Sequence, residues 1–238
     1  MKKYEFIAQD LLSKIYQITD PLTDKLPAER VLAEDYGVSR SSIRKALEKL
    51  ESIGAIYIVQ GSGHFINKNI RNNPLVYNSI TEKKFHQIKF SLLSLHKRRP
   101  DKDEQQIFSI SDDEFLWAFS RLRYIDDKVV QIEHSKMPVS LFPDLNQKII
   151  ESSIQQYVLS KGCLISHSLT HYQAVNVNKE QALLLGCKKG AAAMNIVNRA
   201  ILQSGQIYEM SDIIDIDYLC TYIIPFNQDN LSFRQQTI

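Results

Sequence analysis

Two groups of residues in this sequence have the types and spacing to do chemistry. In the first, Arg40, Ser41, Ser42, Arg44 and Lys45 crowd together ahead of the acids Glu48 and Glu51. Arginine can bridge guanine O6 and N7 or grip a phosphate, and serine hydroxyls bond either, so such a cluster at a helix start suits the DNA major groove. In the second group, Arg121 and Arg123 are two positions apart, which on a strand sets both on one face. Two cations on one face call for an anion. The pattern leaves open whether that anion is a ligand or an internal acid such as Glu133 or Glu209.

The elements that must position the first group are legible nearby. Ile7, Leu11, Leu12, Ile15 and Ile18 recur at helical spacing, and Asp20-Pro21 ends that helix. A second helix is expected from Pro27, a residue that costs little in a first turn, carrying Val31 and Leu32 inward and stopping at Tyr36-Gly37. Ser39 stands where an N-cap is needed for a third helix, whose stripe is Ile43, Ala46, Leu47, Leu50 and Ile53 and whose end is Gly54. Residues 55–59 and 64–66 read as strands around the turn Gln60-Gly61-Ser62-Gly63, which gives a wing after a helix-turn-helix.

Asn67 to Pro74 is polar and Asn-rich, the composition of a linker. Beyond it Lys83, Lys84, His86, Lys89, His96, Lys97, Arg98 and Arg99 make a basic stretch, read first as a solvated face of strands and second as a phosphate attractor. Residues 116–125 and 129–132 form one expected hairpin, and 196–202 with 207–208 a second. Arg123 precedes Glu133 by ten positions, with Ser135 following; Arg199, Glu209 and Ser211 repeat that spacing and suggest an internal pseudo-repeat. Helices over 149–159 and 179–185 are expected to pack on the sheet.

Composition narrows the class. The chain has 238 residues, 44% hydrophobic and 24% charged, enough for a small module and a larger domain with a real core. Net charge is +2, and residues 1–68 hold ten Lys/Arg against nine Asp/Glu, so the DNA argument rests on where the charges lie. There is no apolar run of membrane-spanning length and no signal-peptide pattern at the start, which reads as cytoplasmic with no membrane partner. Cys163, Cys187 and Cys220 lack disulfide or zinc spacing and are expected to be buried thiols; the six histidines make no metal-ligand pattern, and no catalytic motif, cofactor or metal site is indicated.

Leu26-Pro27-Ala28-Glu29-Arg30, Tyr36-Gly37-Val38-Ser39-Arg40, Ile43-Arg44-Lys45-Ala46-Leu47, Leu50-Glu51 and Gln60-Gly61-Ser62-Gly63 together resemble the DNA-binding domain of the GntR family. The resemblance implies DNA contacts by Arg30, Ser39, Arg40, Ser41, Ser42, Arg44, Gln60 and Gly61. It also implies a homodimer on the two half-sites of a double-stranded operator. Ala28 replaces the family's usual Ser, and residues 17–25 lack its common glycine loop.

Ser120-Arg121-Leu122-Arg123-Tyr124, Glu133-His134-Ser135, Leu141-Phe142-Pro143-Asp144-Leu145, Glu180 to Gly186 and Gly205-Gln206-Ile207-Tyr208-Glu209 resemble the UTRA effector-binding domain of the HutC-type subfamily. That resemblance implies a chorismate-lyase-like fold in which Arg121, Arg123 and Ser153 take an anionic, often phosphate, group and Glu133 and Glu209 take hydroxyl or amino groups. Ser153-Ile154-Gln155 and Asp215-Ile216-Asp217-Tyr218 depart from the family pattern, in the wall that sets specificity.

The expected architecture is α+β: a winged helix-turn-helix over 1–68, a linker over 69–78, and over 79–238 a UTRA effector and dimerisation domain with a mostly antiparallel sheet. The expected function is a transcription regulator, a repressor released by a small anionic metabolite such as a sugar phosphate. The alternatives are a constitutive DNA-binding dimer without effector, and an enzyme using the lyase-like pocket, which only fold analogy supports.

Overall fold

A computed structural model of the chain describes residues 3–17, 24–67, 75–78 and 87–222. They fall into two compact units. The expected helix stop at Asp20-Pro21, the heart of the linker, and Lys83, Lys84 and His86 lie outside the described residues.

The first unit holds α1 (Lys3–Gln17), α2 (Glu29–Asp35), α3 (Arg40–Ser52), β1 (Ile56–Val59) and β2 (Gly63–Ile66). Its core joins Ile7, Leu11, Leu12 and Ile15 of α1 to Leu32 of α2, to Ile43, Ala46, Leu47 and Leu50 of α3, and to Ile56 and Ile66 of the wing. Two expectations shift. Helix α2 starts at Glu29 with Ala28 as N-cap, so Pro27 precedes the helix instead of opening it, and Val31 faces outward while Leu32 is buried. Gly37 (φ +60°) turns the chain between α2 and α3, a conformation that side chains with a Cβ resist. Ser39 then caps α3 by accepting from the Ser42 amide at 3.3 Å. The wing is tied back to the segment before α2 by the Leu26 amide donating to the His64 carbonyl at 2.9 Å. Short strands β3 (Leu75–Asn78) and β10 (Cys220–Tyr222) pair with each other and cluster with this unit.

The second unit is a six-stranded antiparallel sheet of order β4-β5-β6-β9-β8-β7. In chain order it comprises β4 (Ile88–Arg98), α4 (Lys102–Phe108), β5 (Leu116–Ile125), β6 (Lys128–Pro138), α5 (Gln147–Ile150), α6 (Ile154–Ser160), β7 (Ile165–Asn176), α7 (Lys179–Leu185), β8 (Ala192–Leu202) and β9 (Ile207–Asp215). One face packs Phe119 and Met137 against Ile150, Ile154, Tyr157 and Val158 of α5 and α6. The other packs Leu122, Ile132 and Ile214 against Ala182 and Leu185 of α7.

The single helix expected over 149–159 is two helices, because Ser153 is extended and caps α6 by accepting from the Gln156 amide at 3.3 Å. Helix α4 carries a capping box in which Asp101 and Glu104 exchange bonds with each other's amides, a signal present in the sequence but not used there. Glu104 is buried under Arg98 and Lys136, which hold its carboxyl down at about 2. The three cysteines are half-buried free thiols, less enclosed than expected.

Candidate functional site

On the first unit the positions expected to meet DNA are exposed, except for the half-buried Ser42. Arg40, Ser41 and Arg44 stand in the first two turns of α3, while Gln60 and Gly61 (φ +77°) form the tip of the wing. Ser39 Oγ lies 2.9 Å from Ser41 Oγ and 3.0 Å from Ser42 Oγ, so these hydroxyls form a local chain at the helix start. Arg44 donates to both oxygens of Glu29, at 3.1 and 3.5 Å, and Arg30 pairs with Glu34 at 2.8 Å. Among the described residues Arg40 has no ion-pair partner. Exposed pairs of this kind are worth roughly 0–1 kcal/mol, less than the ~1–3 kcal/mol of a bidentate base contact, so DNA can win Arg44 from Glu29.

On the second unit the face beneath α5 and α6 carries a buried polar cluster. Strand pairing lines up Phe90, Arg123, Gln131 and Asp215 in one row across β4, β5, β6 and β9, and Arg121 opposite Glu133 in the next. Arg121 is fully engaged: Nε and Nη2 donate to the two Glu133 oxygens at 2.9 and 3.0 Å, and Nη1 to the carbonyls of Ile150 and Ser152 at 2.6 and 3.3 Å. Glu133 also accepts from Ser135 at 2.9 Å. Burial alone would raise its carboxyl, but Arg121 and Arg123 hold it below the ordinary range. Of the two anion sources left open by the sequence, Arg121 therefore has the internal one.

Arg123 differs. Its side chain is 11% exposed, its nearest carboxylate oxygen, on Glu133, is 3.9 Å from Nη2, and its Nε and Nη1 have no hydrogen-bond partner among the described residues. Desolvation lowers its proton affinity, which Glu133, Asp215 and Glu209 partly restore. The Phe90 ring lies over both guanidiniums, 4.2 Å from Arg121 and 5.0 Å from Arg123. Ser153 sits at the α6 start, beside the Ser152 carbonyl that Arg121 holds.

The expected pseudo-repeat holds in part. Ser135 and Ser211 face each other across β6 and β9, so Glu133 and Glu209, each two residues earlier on antiparallel strands, take symmetric places on one face. The arginines break the symmetry. Opposite Glu133 is Arg121, but opposite Glu209 is Ala200, so Arg199 turns to the other face and is exposed. The hairpin turns explain this: Asp126-Asp127, both at positive φ, close the first, whereas the second has a longer loop from Gln203 to Gln206, and loop length sets register.

Glu209 is buried, and desolvation followed by repulsion from Glu133 pushes its carboxyl up to about 7, against the pull of Arg121, Ser135 and Arg123. A carboxyl whose proton affinity is raised on folding costs native stability progressively as pH climbs from the ordinary carboxylate value to the raised one, and the full cost persists above it. Glu209→Gln should therefore melt higher than the parent at pH 8 and close to it at pH 5; equal melting temperatures at pH 8 would show that Glu209 carries no ionisation penalty.

The sequence pattern gives Gln131 no role and Asp215 only a place in the altered specificity wall, yet both are enclosed beside Arg123. Gln131 Nε2 donates to Asp215 at 2.8 Å across 84 positions of chain, a pairing that no local pattern announces. Two open depressions of about 590 and 550 Å³ lie elsewhere, one along α7 and one between α4 and Arg199, away from this cluster. Among the described residues no group of three or more His, Cys, Asp or Glu side chains could hold a metal, and no helix is long and apolar enough to cross a membrane.

Comparison with known proteins agrees with both units. The family model for bacterial regulatory proteins of the gntR family matches residues 3–66, and that for the UTRA domain matches residues 84–214. The HTH-type transcriptional regulator YydK of Bacillus subtilis is 31% identical over 90% of this chain and 92% of its own. Its crystal structure superposes with a TM-score of 0.58, covering 95% of this chain and all of that one, at 28% identity. The mannosyl-D-glycerate transport/metabolism system repressor MngR of Escherichia coli is 28% identical over 79% of this chain and 80% of its own. The repressor NagR of Bacillus subtilis is 29% identical over 77% and 78%.

Proposed function

Given that the chain belongs to the gntR family of bacterial regulatory proteins and carries a UTRA domain, a family of transcription regulators and not of enzymes, we propose that it is a repressor released from its operator by a small anionic metabolite such as a sugar phosphate. It acts as a homodimer, with DNA-binding residues 1–68, a linker over 69–78 and an effector domain over 79–238. The observation that carries this reading is Arg123, a nearly enclosed guanidinium with two unpartnered nitrogens at the floor of a polar cluster. Guanidinium nitrogens in such a setting suit a phosphate or carboxylate. Two relatives, MngR and NagR, bear the name repressor, which supports the direction of regulation.

Arg121 and Glu133 hold each other and orient the strand beside Arg123, so the anion falls to Arg123, with Ser153 and Glu209 around it. On the first unit Arg40 and Arg44 read the operator, with Arg30, the serines Ser39, Ser41 and Ser42, and Gln60 and Gly61 of the wing tracking the backbone. For release, the effector must favour the state that does not bind DNA, by a coupling typically of ~1–3 kcal/mol.

Thermal unfolding against a panel of sugar phosphates, with inorganic phosphate as control, tests the reading. One sugar phosphate should raise the melting temperature well beyond phosphate and weaken operator binding. Arg123→Ala should abolish both responses while operator affinity changes less than about threefold. An unchanged response in Arg123→Ala removes the site, and a dimer that holds DNA regardless of every effector is the constitutive alternative.

A further inference from the structure

Beside Arg123, the acceptor Gln131 Oε1 is also without a hydrogen-bond partner among the described residues, on a side chain that is 0% exposed. Gln131 stands directly opposite Arg123 in the β5–β6 register, and Asp215 directly opposite Gln131 in the β6–β9 register. Unsatisfied donors on one strand and an unsatisfied acceptor on the next are costly to enclose without a partner. A plain anion would satisfy only the donors. The Gln131 amide is fixed with its oxygen free, because its nitrogen donates to Asp215 Oδ2 at 2.8 Å while Asp215 Oδ1 accepts from the Asp217 amide at 2.8 Å.

Charge points the same way. With Arg121 and Glu133 neutralising each other, Arg123 is, among the described residues of this cluster, the one cation left to balance buried Asp215, while Glu209 stays largely protonated up to about pH 7. An anion entering alone would add a negative charge that nothing left in the cluster balances; an ammonium on the same ligand offsets that charge, and a hydroxyl at least satisfies the free acceptor.

Resting on the reading of Arg123 as the anion holder, we propose that the Gln131–Asp215 pair reads a hydrogen-bond donor attached to the anion, so that the site takes an anion bearing a neighbouring hydroxyl or ammonium group and discriminates against one bearing only hydrocarbon. Arg123 takes the charged oxygens, and Gln131 Oε1 accepts from the donor. An ammonium donor binds better than a hydroxyl because it also offsets Asp215.

The test uses the full chain and three phosphate monoesters of similar size: propyl phosphate without a donor, glycerol 3-phosphate with hydroxyls, and O-phosphoethanolamine with an ammonium. Apparent dissociation constants come from thermal shift and calorimetric titration. Expected is at least about threefold tighter binding of glycerol 3-phosphate than of propyl phosphate, with O-phosphoethanolamine tighter again. Gln131→Met, close in shape, should bring the three together while Arg123→Ala abolishes all binding. If Gln131→Met does not fold, Asp215→Asn serves, because it frees the Gln131 amide to turn and removes the charge that favours ammonium. Equal affinities for the three esters in the parent, or an unchanged preference in these variants, overturn the donor-reading role and leave the anion site standing. If no ester distinguishes the parent from Arg123→Ala, the anion site itself is wrong and this inference falls with it.

Discussion

Glu133→Ala should unfold at a melting temperature lower by ~10 °C, the largest stability loss expected of any single substitution in the sheet domain. The carboxylate it removes takes two hydrogen bonds from Arg121, whose side chain is 6% exposed, and one from Ser135. Removing one partner of a buried ion pair costs about 3–5 kcal/mol, mostly because the charge left behind stays desolvated. In a domain of this size each kcal/mol moves the melting temperature by roughly 2–4 °C. Arg121→Ala should do comparable damage from the other side, leaving Glu133 enclosed with Arg123 at 3.9 Å as its nearest cation. Arg123→Ala removes a guanidinium with two unpartnered nitrogens and should cost far less. Differential scanning calorimetry of the three variants checks the order; a Glu133→Ala protein as stable as Arg123→Ala would mean that the Arg121 pair does not hold the sheet. A double Arg121→Ala, Arg123→Ala variant mixes folding with ligand loss, so Arg123→Ala alone is the clean probe of the site.

The second large effect belongs to DNA. Arg40→Ala with Arg44→Ala should weaken binding to an operator fragment, selected by the protein from random duplexes, by about a thousandfold, taking ~1–3 kcal/mol for each arginine that reads a base and some coupling between them. Folding should be nearly untouched: Arg40 has no ion-pair partner among the described residues, and Arg44 loses only its exposed contact with Glu29. Fluorescence anisotropy titration gives the affinity and calorimetry gives the stability. Binding that survives the double change would move base reading away from α3, and a parallel loss of stability would mean that the helix start itself had been disturbed. Because the two sites lie on separate units, the thermal shift produced by a sugar phosphate should persist in this variant.

The contrast between the two sites shows what a sequence carries. The helix proposed to read DNA, α3, is legible in the sequence as a structural element: Gly37 for the turn, Ser39 for the cap, Ile43, Ala46, Leu47 and Leu50 for the buried stripe, and the basic cluster on the remaining face. Each of those inferences depends on neighbours within about four positions, where helix geometry fixes which side chains share a face. The same reasoning placed Arg121 and Arg123 on one face, but could not tell them apart. Only the tertiary structure decided that Arg121 belongs to Glu133 and the Ile150 carbonyl while Arg123 keeps free nitrogens, that Arg199 turns away from its repeat partner, and that Gln131 and Asp215 stand beside Arg123. Strand register is set by turn length and by pairings between residues tens of positions apart, and a shift of one position carries a side chain to the opposite face.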